Sequence, residues 1–278
     1  MNIENEKKII EKCSQFRNEL IDLLYEVQTG HLGGSLSCVE ILTTLYFDIM
    51  NITPLNPQKE GRDRLILSKG HAAPMLYLNL AERGFFSKKE LKTLRQINSN
   101  LQGHPCIHKT SGVELSTGPL GIGLGAGIGM ALGERLKGSE AYIYVVLGDG
   151  EIQEGAVWEA AMAAAKFATT RCIAILDHNG VQLDGTNDEI MPMGNIAAKW
   201  KAFGWNVVHC DGHQVAAFAK AIEQAKSEEQ KPTIVICKTV KGKGISFMEG
   251  KNIWHGKPMN EEEYKQAKAE LGGGKGEQ

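Results

Sequence analysis

Residues 148–185 read GDGEIQEGAVWEAAMAAAKFATTRCIAILDHNGVQLDG, and the type of fold can be inferred from them. An apolar run, AYIYVVL at 141–147, precedes this stretch, and a second apolar run, CIAILD at 172–177, lies inside it. Residues 153–167, between the two runs, have the length and composition of a helix. Strands that are apolar throughout and alternate with helices are typical of a parallel sheet covered by helices on both sides.

The same alternation continues along most of the chain. Apolar residues spaced three or four apart predict an amphipathic helix that contains Ile9 and Val27 and stops at Gly30. Further helices are predicted over residues 38–50, 77–83, from about 88, over 196–203 and over 215–226, and further strands at 64–70, 205–210 and 233–239. We therefore expect an α/β fold with a doubly wound, mainly parallel sheet and helices on both faces.

The length of the chain and its loops predict one domain. The 278 residues contain no internal repeat and no Pro-rich or Ser-rich linker, so a single domain is expected over residues 1–271. Residues 272–278 are rich in glycine and are expected to form a flexible tail. The loop at 98–118 is too long for a simple connection and is expected to be functional.

Composition argues against several classes of protein. The chain has 31 Lys and Arg against 33 Asp and Glu, a net charge of -2, and no basic block that would follow nucleic acid. No apolar segment is long enough for a membrane span or has the pattern of a signal peptide, so a cytoplasmic protein is expected. The six cysteines form no CxxC pair, which favours reduced thiols over disulfides or a zinc site.

The triplet GDG directly follows the strand at 141–147. In an open parallel sheet, ligands bind beyond the carboxyl ends of the strands, so this triplet is expected at a binding edge. Gly148 and Gly150 let the backbone approach an anionic group, and the helix that follows directs free N–H groups towards it. The pattern therefore predicts a phosphate near Asp149.

A carboxylate beside a phosphate needs a divalent cation between the two negative charges. Asn179 follows the next strand and is expected at the same edge, where its side-chain oxygen and the backbone carbonyl of Val181 add neutral ligands. Oxygen ligands with few charges favour Mg²⁺ or Ca²⁺. Taken separately, GDG and the Asn179-Gly180 pair are also common turn sequences, so for each alone an ordinary turn stays open.

Five further motifs occur in the order in which transketolases have them. They are TGHLGGSLS at 29–37, LSKGHAAPMLY at 67–77, QGHP at 102–105, TGPLGIGLGAGIGMALG at 117–133 and KGKGISFMEGKNIWHG at 241–256. Together with GDG and Asn179 they extend over nearly the whole chain. The sequence therefore resembles the amino-terminal, diphosphate-binding half of the transketolase family, which has the thiamine diphosphate-binding fold.

The resemblance implies thiamine diphosphate and Mg²⁺ as cofactors, with Ca²⁺ or Mn²⁺ able to replace Mg²⁺. It implies that Asp149, Asn179 and the Val181 carbonyl hold the metal. The residues implied to bind the cofactor are His71, Gly118, Leu120, Gly148, Asp149, Gly150, Glu154, Asn179, Lys241 and His255. The residues implied to be catalytic are His31, His104, His255 and Glu159.

These implied roles fit the chemistry of the side chains. Histidine exchanges protons in the neutral range, which suits a reaction that moves hydroxyl protons as carbon–carbon bonds break and form. Glu159 is expected at a subunit interface, with Glu154 supporting it. Lys241 and Lys243 could lie near the cofactor or simply in a solvated loop, and both alternatives stay open. The histidines without a family match, expected to be structural, are His108, His178, His209 and His213.

The resemblance also implies a partner. The family's second half, which binds the aminopyrimidine ring and supplies the glutamate that activates the cofactor, has no counterpart here. A C-terminal transketolase subunit is therefore expected as partner in a heterotetramer, with no activity from this chain alone. Gly121, Gly125, Gly129 and Gly133 recur every four residues, which predicts a bare helix face at an interface or, alternatively, close packing inside the chain.

The implied activity is transfer of a two-carbon ketol unit from a ketose phosphate to an aldose phosphate through a thiamine diphosphate adduct. Pentose phosphates are the expected substrates, and a sulfonated or other unusual sugar is an alternative. A component of another thiamine diphosphate enzyme, similar to deoxyxylulose phosphate synthase or a 2-oxo acid dehydrogenase, also stays open. A non-catalytic regulatory paralogue is the alternative of another class, since a fold alone does not fix function.

Overall fold

The computed structural model describes residues 1–272. Its centre is a sheet of five parallel strands in the order β1-β2-β3-β5-β4. The strands are β1 (Arg64–Leu67), β2 (Ile143–Gly148), β3 (Cys172–His178), β4 (Asn206–Asp211) and β5 (Thr233–Lys238). All five strands were predicted, and their observed ends differ from the predicted ones by three residues or fewer.

Helices cover both faces of the sheet, which confirms the doubly wound α/β prediction. They are α1 (Ile3–Val27), α2 (Leu32–Leu36), α3 (Val39–Thr44), α4 (Ala73–Arg83), α5 (Ile122–Leu136), α6 (Gly155–Phe167), α7 (Asn187–Ile190), α8 (Ile196–Ala202), α9 (Val215–Lys226) and α10 (Glu261–Gly272). The helix predicted at 38–50 is instead α3 followed by a π-helical turn, Leu45–Ile49, and the one predicted from 88 is a 3₁₀ segment, Lys88–Thr93.

The predicted boundary between the domain and its Gly-rich tail, at residue 272, differs from the observed one. Residues 261–272 form α10, which was not predicted from the sequence, and Gly272 belongs to this helix rather than to the expected tail. The rest of that predicted tail lies outside the described residues. No helix among residues 1–272 is both long and apolar enough to cross a lipid bilayer.

Side chains alternate between two apolar cores along the strands. On one face, Tyr144 and Val146 of β2 pack with residues of α1, α3, α4 and α9. On the other face, Val145 and Leu147 pack with residues of α5, α6 and α8, including the fully buried Trp200. Burial on both faces explains why the central strands are apolar throughout.

The glycines of α5 separate into two faces. A Cβ at Gly123 would overlap Ser68 Oγ, and a Cβ at Gly127 would lie 2.5 Å from Val145 Cγ2, so these two positions let the helix lie close to the sheet. At Gly125, in contrast, the nearest atom would be Ala160 Cβ at 3.8 Å, and at Gly129 nothing lies within 4 Å. Nothing lies within 4 Å of a Cβ at Gly133 either, so the four-residue stripe is open at Gly125, Gly129 and Gly133. Close packing inside the chain explains only Gly121, where a Cβ would lie 2.8 Å from Glu154 Cβ.

Candidate active site

The carboxyl ends of three neighbouring strands form the floor of the site. Gly148 of β2 is in register with Asp177 of β3, and His178 is in register with Lys238 of β5. The turns that follow β2 and β3 consequently meet at one edge of the sheet. A cavity of about 230 Å³ lies there, lined by Gly34, Lys69, His71, Leu120, Gly148, Asp149, Gly150, Glu151, Asn179, Val181, Gln182, Leu183, Lys241 and His255.

Three oxygen groups predicted as metal ligands lie at this cavity. Asp149 is only 3 % exposed; its Oδ1 is 2.5 Å from Nδ1 of His178, and its Oδ2 accepts a hydrogen bond of 2.7 Å from the Gly180 amide. Asn179 Oδ1 accepts a hydrogen bond of 3.1 Å from the Val181 amide. One carboxylate and two neutral oxygen donors form a set that suits a hard cation such as Mg²⁺.

Gly34 and Gly150 lie at positions beside the cavity where a larger side chain would not fit. A Cβ at Gly34 would lie 2.9 Å from Nε2 of His71, and a Cβ at Gly150 would lie 3.2 Å from Oε1 of Gln182. Both distances are shorter than ordinary contacts of a side chain. The absence of a side chain at Gly150 also fits the close approach that a diphosphate needs next to GDG.

Four histidines from separate motifs form a cluster, of which His71 and His255 line the cavity. The ring centroid of His31 lies 5.4 Å from that of His71, 6.1 Å from that of His104 and 5.1 Å from that of His255. The rings of His71 and His255 are 4.9 Å apart. The structure therefore brings together all four histidines that were expected to meet the cofactor or the substrate.

The environment of the cluster disfavours the charged imidazolium. Burial, together with Arg95, lowers the pKa of His31 to about 4, and burial, together with Lys241, lowers the pKa of His255 to about 3. Burial and Lys69 lower the pKa of His71 well below its usual value, and burial and Arg95 lower that of His104. These rings are consequently neutral at physiological pH.

The two lysines of the KGKG motif have different environments. Lys241 is 2 % exposed; its Nζ donates to the Gln182 carbonyl at 3.1 Å and lies 3.0 Å from Nδ1 of His255. Burial and the neighbouring Lys69 lower the pKa of Lys241 to about 8. Lys243 instead forms a surface ion pair with Glu249. Lys241 therefore contributes positive charge to the cavity, whereas Lys243 does not line it.

A buried ion pair that was not predicted from the sequence lies beneath the cavity. Lys69 Nζ contacts the Asp177 carboxylate and donates to the Gly34 carbonyl at 2.8 Å. Asp177 also accepts hydrogen bonds from Ser37 and Thr239. Burial alone would raise the pKa of Asp177 and lower that of Lys69, but each effect is outweighed by the partner charge, so both side chains are ionised.

Glu151 is a third residue of the site that was not predicted from the sequence. Its carboxylate accepts hydrogen bonds from the Gly121 amide at 3.0 Å, from the Gly148 amide at 3.1 Å and from the Ser68 hydroxyl. Burial raises its pKa. Glu151 thus connects the GDG turn to the start of α5 and to the end of β1. The acidic residue directly after GDG was the available signal.

The remaining histidines differ from one another. His213 is structural as expected, since its Nδ1 lies 2.9 Å from Glu40 Oε2 and its Nε2 accepts from the Val240 amide at 2.8 Å. His178, expected to be only structural, instead contacts Asp149, and this hydrogen bond raises its pKa. His178 is therefore part of the surroundings of the site.

Several predicted site residues lie away from the cavity of this chain or at its rim. Glu154 precedes α6 and Glu159 lies within it, and neither lines the cavity. Gly118 has a φ of 152° and lies near His104, because a Cβ there would be 3.4 Å from His104 Cγ. Leu120 lines the cavity and is 39 % exposed.

The family described as "Transketolase, thiamine diphosphate binding domain" matches residues 9–277. The chain belongs to the transketolase family. The resemblance that the ordered motifs indicated is thereby confirmed, and so is the thiamine diphosphate-binding character of the fold.

Two relatives are named as subunits of transketolases. The chain is 39% identical to one subunit of the apulose-4-phosphate transketolase from Phocaeicola vulgatus over 92% of this chain and 90% of that protein. It is 41% identical to 6-deoxy-6-sulfo-D-fructose transketolase subunit SqwG of a Clostridium species over 98% of this chain and 96% of that protein. The chain thus spans nearly the whole length of these two subunits.

Single-chain transketolases are matched over less of their length. Human transketolase is 41% identical, with 83% of this chain but only 37% of that protein covered. The solved structure of transketolase from Leishmania mexicana superposes with a TM-score of 0.90 at 30% identity and covers 95% of this chain and 41% of that one. The chain therefore spans about two fifths of a single-chain transketolase.

Proposed function

We propose that this chain is the diphosphate-binding subunit of a two-chain transketolase. In the proposed reaction, a two-carbon ketol unit passes from a ketose phosphate to an aldose phosphate. The observation that carries the proposal is a cavity lined by Asp149, Asn179, His71 and His255, with the rings of His31 and His104 clustered beside those two histidines. When bound, thiamine diphosphate would supply the electron sink for breaking and forming the carbon–carbon bond.

The residues at the cavity fit the cofactor and its metal. Asp149, Asn179 and the Val181 carbonyl would hold Mg²⁺, leaving the remaining positions of a six-oxygen shell to diphosphate and water. Gly150 would let the diphosphate approach the backbone, and Lys241 would contribute positive charge. His71, next to Gly34, would meet the same group. Ca²⁺ and Mn²⁺ bind similar oxygen ligands and are expected to replace Mg²⁺.

The histidines would handle the substrate. His31 and His255 are neutral, His255 lines the cavity and the ring of His31 lies 5.1 Å from it, so each can donate one N–H to a substrate oxygen. His104 is exposed beside His31 and would contact the part of the sugar that projects from the cavity. Each proton that moves to or from a substrate hydroxyl would then have a ring nitrogen within reach.

The surface around the cavity supports a partner chain. Large apolar side chains are exposed there, including Leu120 and Leu183 on the lining, Ile122 at the start of α5 and Ile253 near His255. Exposed apolar groups beside a site are typical of protein interfaces. We propose that a C-terminal transketolase subunit covers them, brings the activating glutamate, and forms a heterotetramer in which Glu159 and Glu154 also lie at an interface.

The proposed sugar substrates follow from the family and from the names of the relatives. Pentose phosphates are the expected substrates. The name of the Clostridium relative favours a second candidate, a sulfonated ketose, because that protein matches 98% of this chain. The six cysteines are all free, which fits work in a reducing compartment, the cytoplasm.

Activity of the purified chain with thiamine diphosphate and Mg²⁺, alone and mixed with the product of the neighbouring reading frame, tests the proposal. The mixture is expected to convert xylulose 5-phosphate and ribose 5-phosphate, or to use 6-deoxy-6-sulfofructose as the ketose, while neither chain alone does so. Full activity of this chain alone would contradict the two-chain arrangement. A stable complex that loads the cofactor but transfers no ketol unit from either ketose would contradict the proposed reaction.

A further inference from the structure

Two of the four clustered histidines have a basic side chain at the same ring atom. Nη2 of Arg95 lies 3.3 Å from Nδ1 of His31, and Nζ of Lys241 lies 3.0 Å from Nδ1 of His255. A guanidinium or an ammonium group has N–H donors and no acceptor. In both contacts, Nδ1 must therefore be the unprotonated nitrogen that accepts the hydrogen bond.

A neutral imidazole whose Nδ1 is unprotonated has its proton on Nε2. We propose that Arg95 and Lys241 are positioning residues that hold His31 and His255 as neutral Nε2–H tautomers. No described residue forms a hydrogen bond with Nε2 of either ring, so both N–H groups are free to meet a ligand.

The charges around both rings act in the same direction. Apart from burial, the groups that lower the pKa of His31 are Arg95, His104, Lys241 and Lys69. Those that lower the pKa of His255 are Lys241, His31 and Lys69. Because all of these groups are basic, they oppose protonation of Nδ1 and leave the accepting form as the stable one.

Arg95 is held in place for this contact. Its φ of 62° is in the left-handed region, which is uncommon for a residue other than glycine. Nη1 donates to Thr29 Oγ1 at 3.1 Å, Nη2 donates to the Gly103 carbonyl at 3.3 Å, and a Cβ at Gly103 would lie 2.9 Å from Arg95 Nε. An unfavourable backbone conformation supported by several contacts is typical of a functional position.

The side chain of Lys241 is also fixed by its surroundings. It is almost completely buried, and its Nζ also donates to the Gln182 carbonyl. Gly33 leaves room for its stem, because a Cβ there would lie 3.1 Å from Lys241 Cγ. A second hydrogen bond and a confined stem restrict the directions in which Nζ can point, so the contact with His255 is a defined one.

The consequence for the reaction rests on the proposed function. The centroids of the two rings are 5.1 Å apart, so their Nε2–H groups can meet neighbouring oxygens of one small substrate. In this tautomer both rings enter the reaction as hydrogen-bond donors to substrate oxygens. Neither ring is a proton acceptor at Nδ1 as long as Arg95 and Lys241 occupy that atom.

Nitrogen NMR of the full chain labelled with ¹⁵N-histidine tests the tautomers directly. Long-range ¹H–¹⁵N correlation spectra distinguish a protonated from an unprotonated ring nitrogen. At neutral pH, His31 and His255 are expected to show a protonated Nε2 and an unprotonated Nδ1, with signals assigned by their loss in His31→Gln and His255→Gln. The measurement needs no cofactor, partner or activity, so its outcome is independent of the proposed transferase reaction.

Variants then test the two positioning residues. Arg95→Met is expected to mix the tautomers of His31 and to raise its pKa by about 1 or more, as expected when a nearby like charge is removed. Arg95→Lys should restore the wild-type tautomer. Lys92→Met, at an exposed lysine three residues earlier that pairs with Glu26, is the matched control and should change nothing.

The second pair follows the same design. Lys241→Met is expected to mix the tautomers of His255, whereas Lys243→Met, two residues later, should leave them unchanged. An Nδ1–H tautomer or a protonated ring at either histidine of the wild-type chain at neutral pH would overturn the proposal. Unchanged tautomers in both Arg95→Met and Lys241→Met, with backbone spectra like that of the wild type, would overturn it as well.

Discussion

Asp149 is the residue on which the proposed metal site depends, since it is the only carboxylate among the three proposed ligands. Asp149→Ala is expected to weaken Mg²⁺-dependent binding of thiamine diphosphate by about 100-fold or more, because ligand charge largely sets the affinity for a hard cation. Isothermal titration in the presence of the partner measures it. Asp184→Ala, at an exposed position in the loop after Asn179, should bind normally. Normal binding by Asp149→Ala would remove this residue from the site.

Lys241 gives the cavity a charge that depends on pH. Its pKa of about 8 means that the side chain is charged below pH 8 and loses its charge as the pH rises through this value. Affinity for thiamine diphosphate is therefore expected to fall as the pH rises above about 8. In Lys241→Met, the affinity should be lower at neutral pH and should show less of this decline. Equal pH dependence in both proteins would show that Lys241 does not face the diphosphate.

Some residues of the site could be predicted from the sequence and others could not. Asp149 and Asn179 each follow an apolar strand, and parallel strands end at the same edge, so local pattern and one topological rule were sufficient. Lys69 and Asp177 lie far apart in the chain, and nothing in either neighbourhood indicates the other. Their contact depends on the tertiary fold, so the sequence alone did not reveal the pair.

The buried pair of Lys69 and Asp177 connects several elements of the fold. Asp177 belongs to β3, and its carboxylate contacts Lys69 after β1, Ser37 after α2 and Thr239 after β5. Lys69→Met leaves a buried carboxylate without its partner and is expected to lower the free energy of unfolding by about 3–5 kcal/mol. Urea unfolding measures this change. Combining Lys69→Met with Asp177→Asn should recover part of the loss, and a double variant no more stable than the single one would contradict the pairing.

The two faces of α5 are expected to respond oppositely when a glycine is replaced by alanine. Gly127→Ala would place a methyl group 2.5 Å from Val145 Cγ2 and is expected to destabilise the chain by about 1–3 kcal/mol. Gly125→Ala meets only Ala160 Cβ, at 3.8 Å, and the better helix propensity of alanine should stabilise the chain by up to about 1 kcal/mol. Thermal unfolding of both variants checks the opposite signs. Equal effects would contradict the assignment of the two faces.

Elements were predictable where their pattern is local. The central strands are apolar on both faces, and α9 has a regular apolar stripe, so both were found close to their observed ends. The short helix α2 contains two glycines, and α10 is mostly polar with Ala267 as its buried residue, so neither has a clear apolar period. Such helices are stabilised by packing against the rest of the molecule, which periodicity does not report.

At the scale of the whole molecule, the open stripe of α5 and the exposed apolar residues at the cavity are the surfaces proposed for assembly. Both features belong to a chain that spans about two fifths of a single-chain transketolase. The proposed partner subunit would bring the glutamate that activates the cofactor to the cavity and its neighbouring histidines. Assembly and activity should therefore be lost together when the stripe is blocked.

Gly125→Leu blocks the stripe without disturbing the chain itself. Gly125 is exposed, so leucine is expected to leave folding intact but to weaken assembly by about 10- to 100-fold, the effect of about 1–3 kcal/mol of overpacking. Light scattering of the mixed chains measures the complex, and thermal unfolding of the variant alone checks its fold. Lys220→Leu adds an equally large exposed residue to α9, on the opposite face of the sheet, and should assemble normally. If Gly125→Leu assembles as well as Lys220→Leu does, α5 does not lie at the interface, and the partner must be held by the apolar residues around the cavity instead.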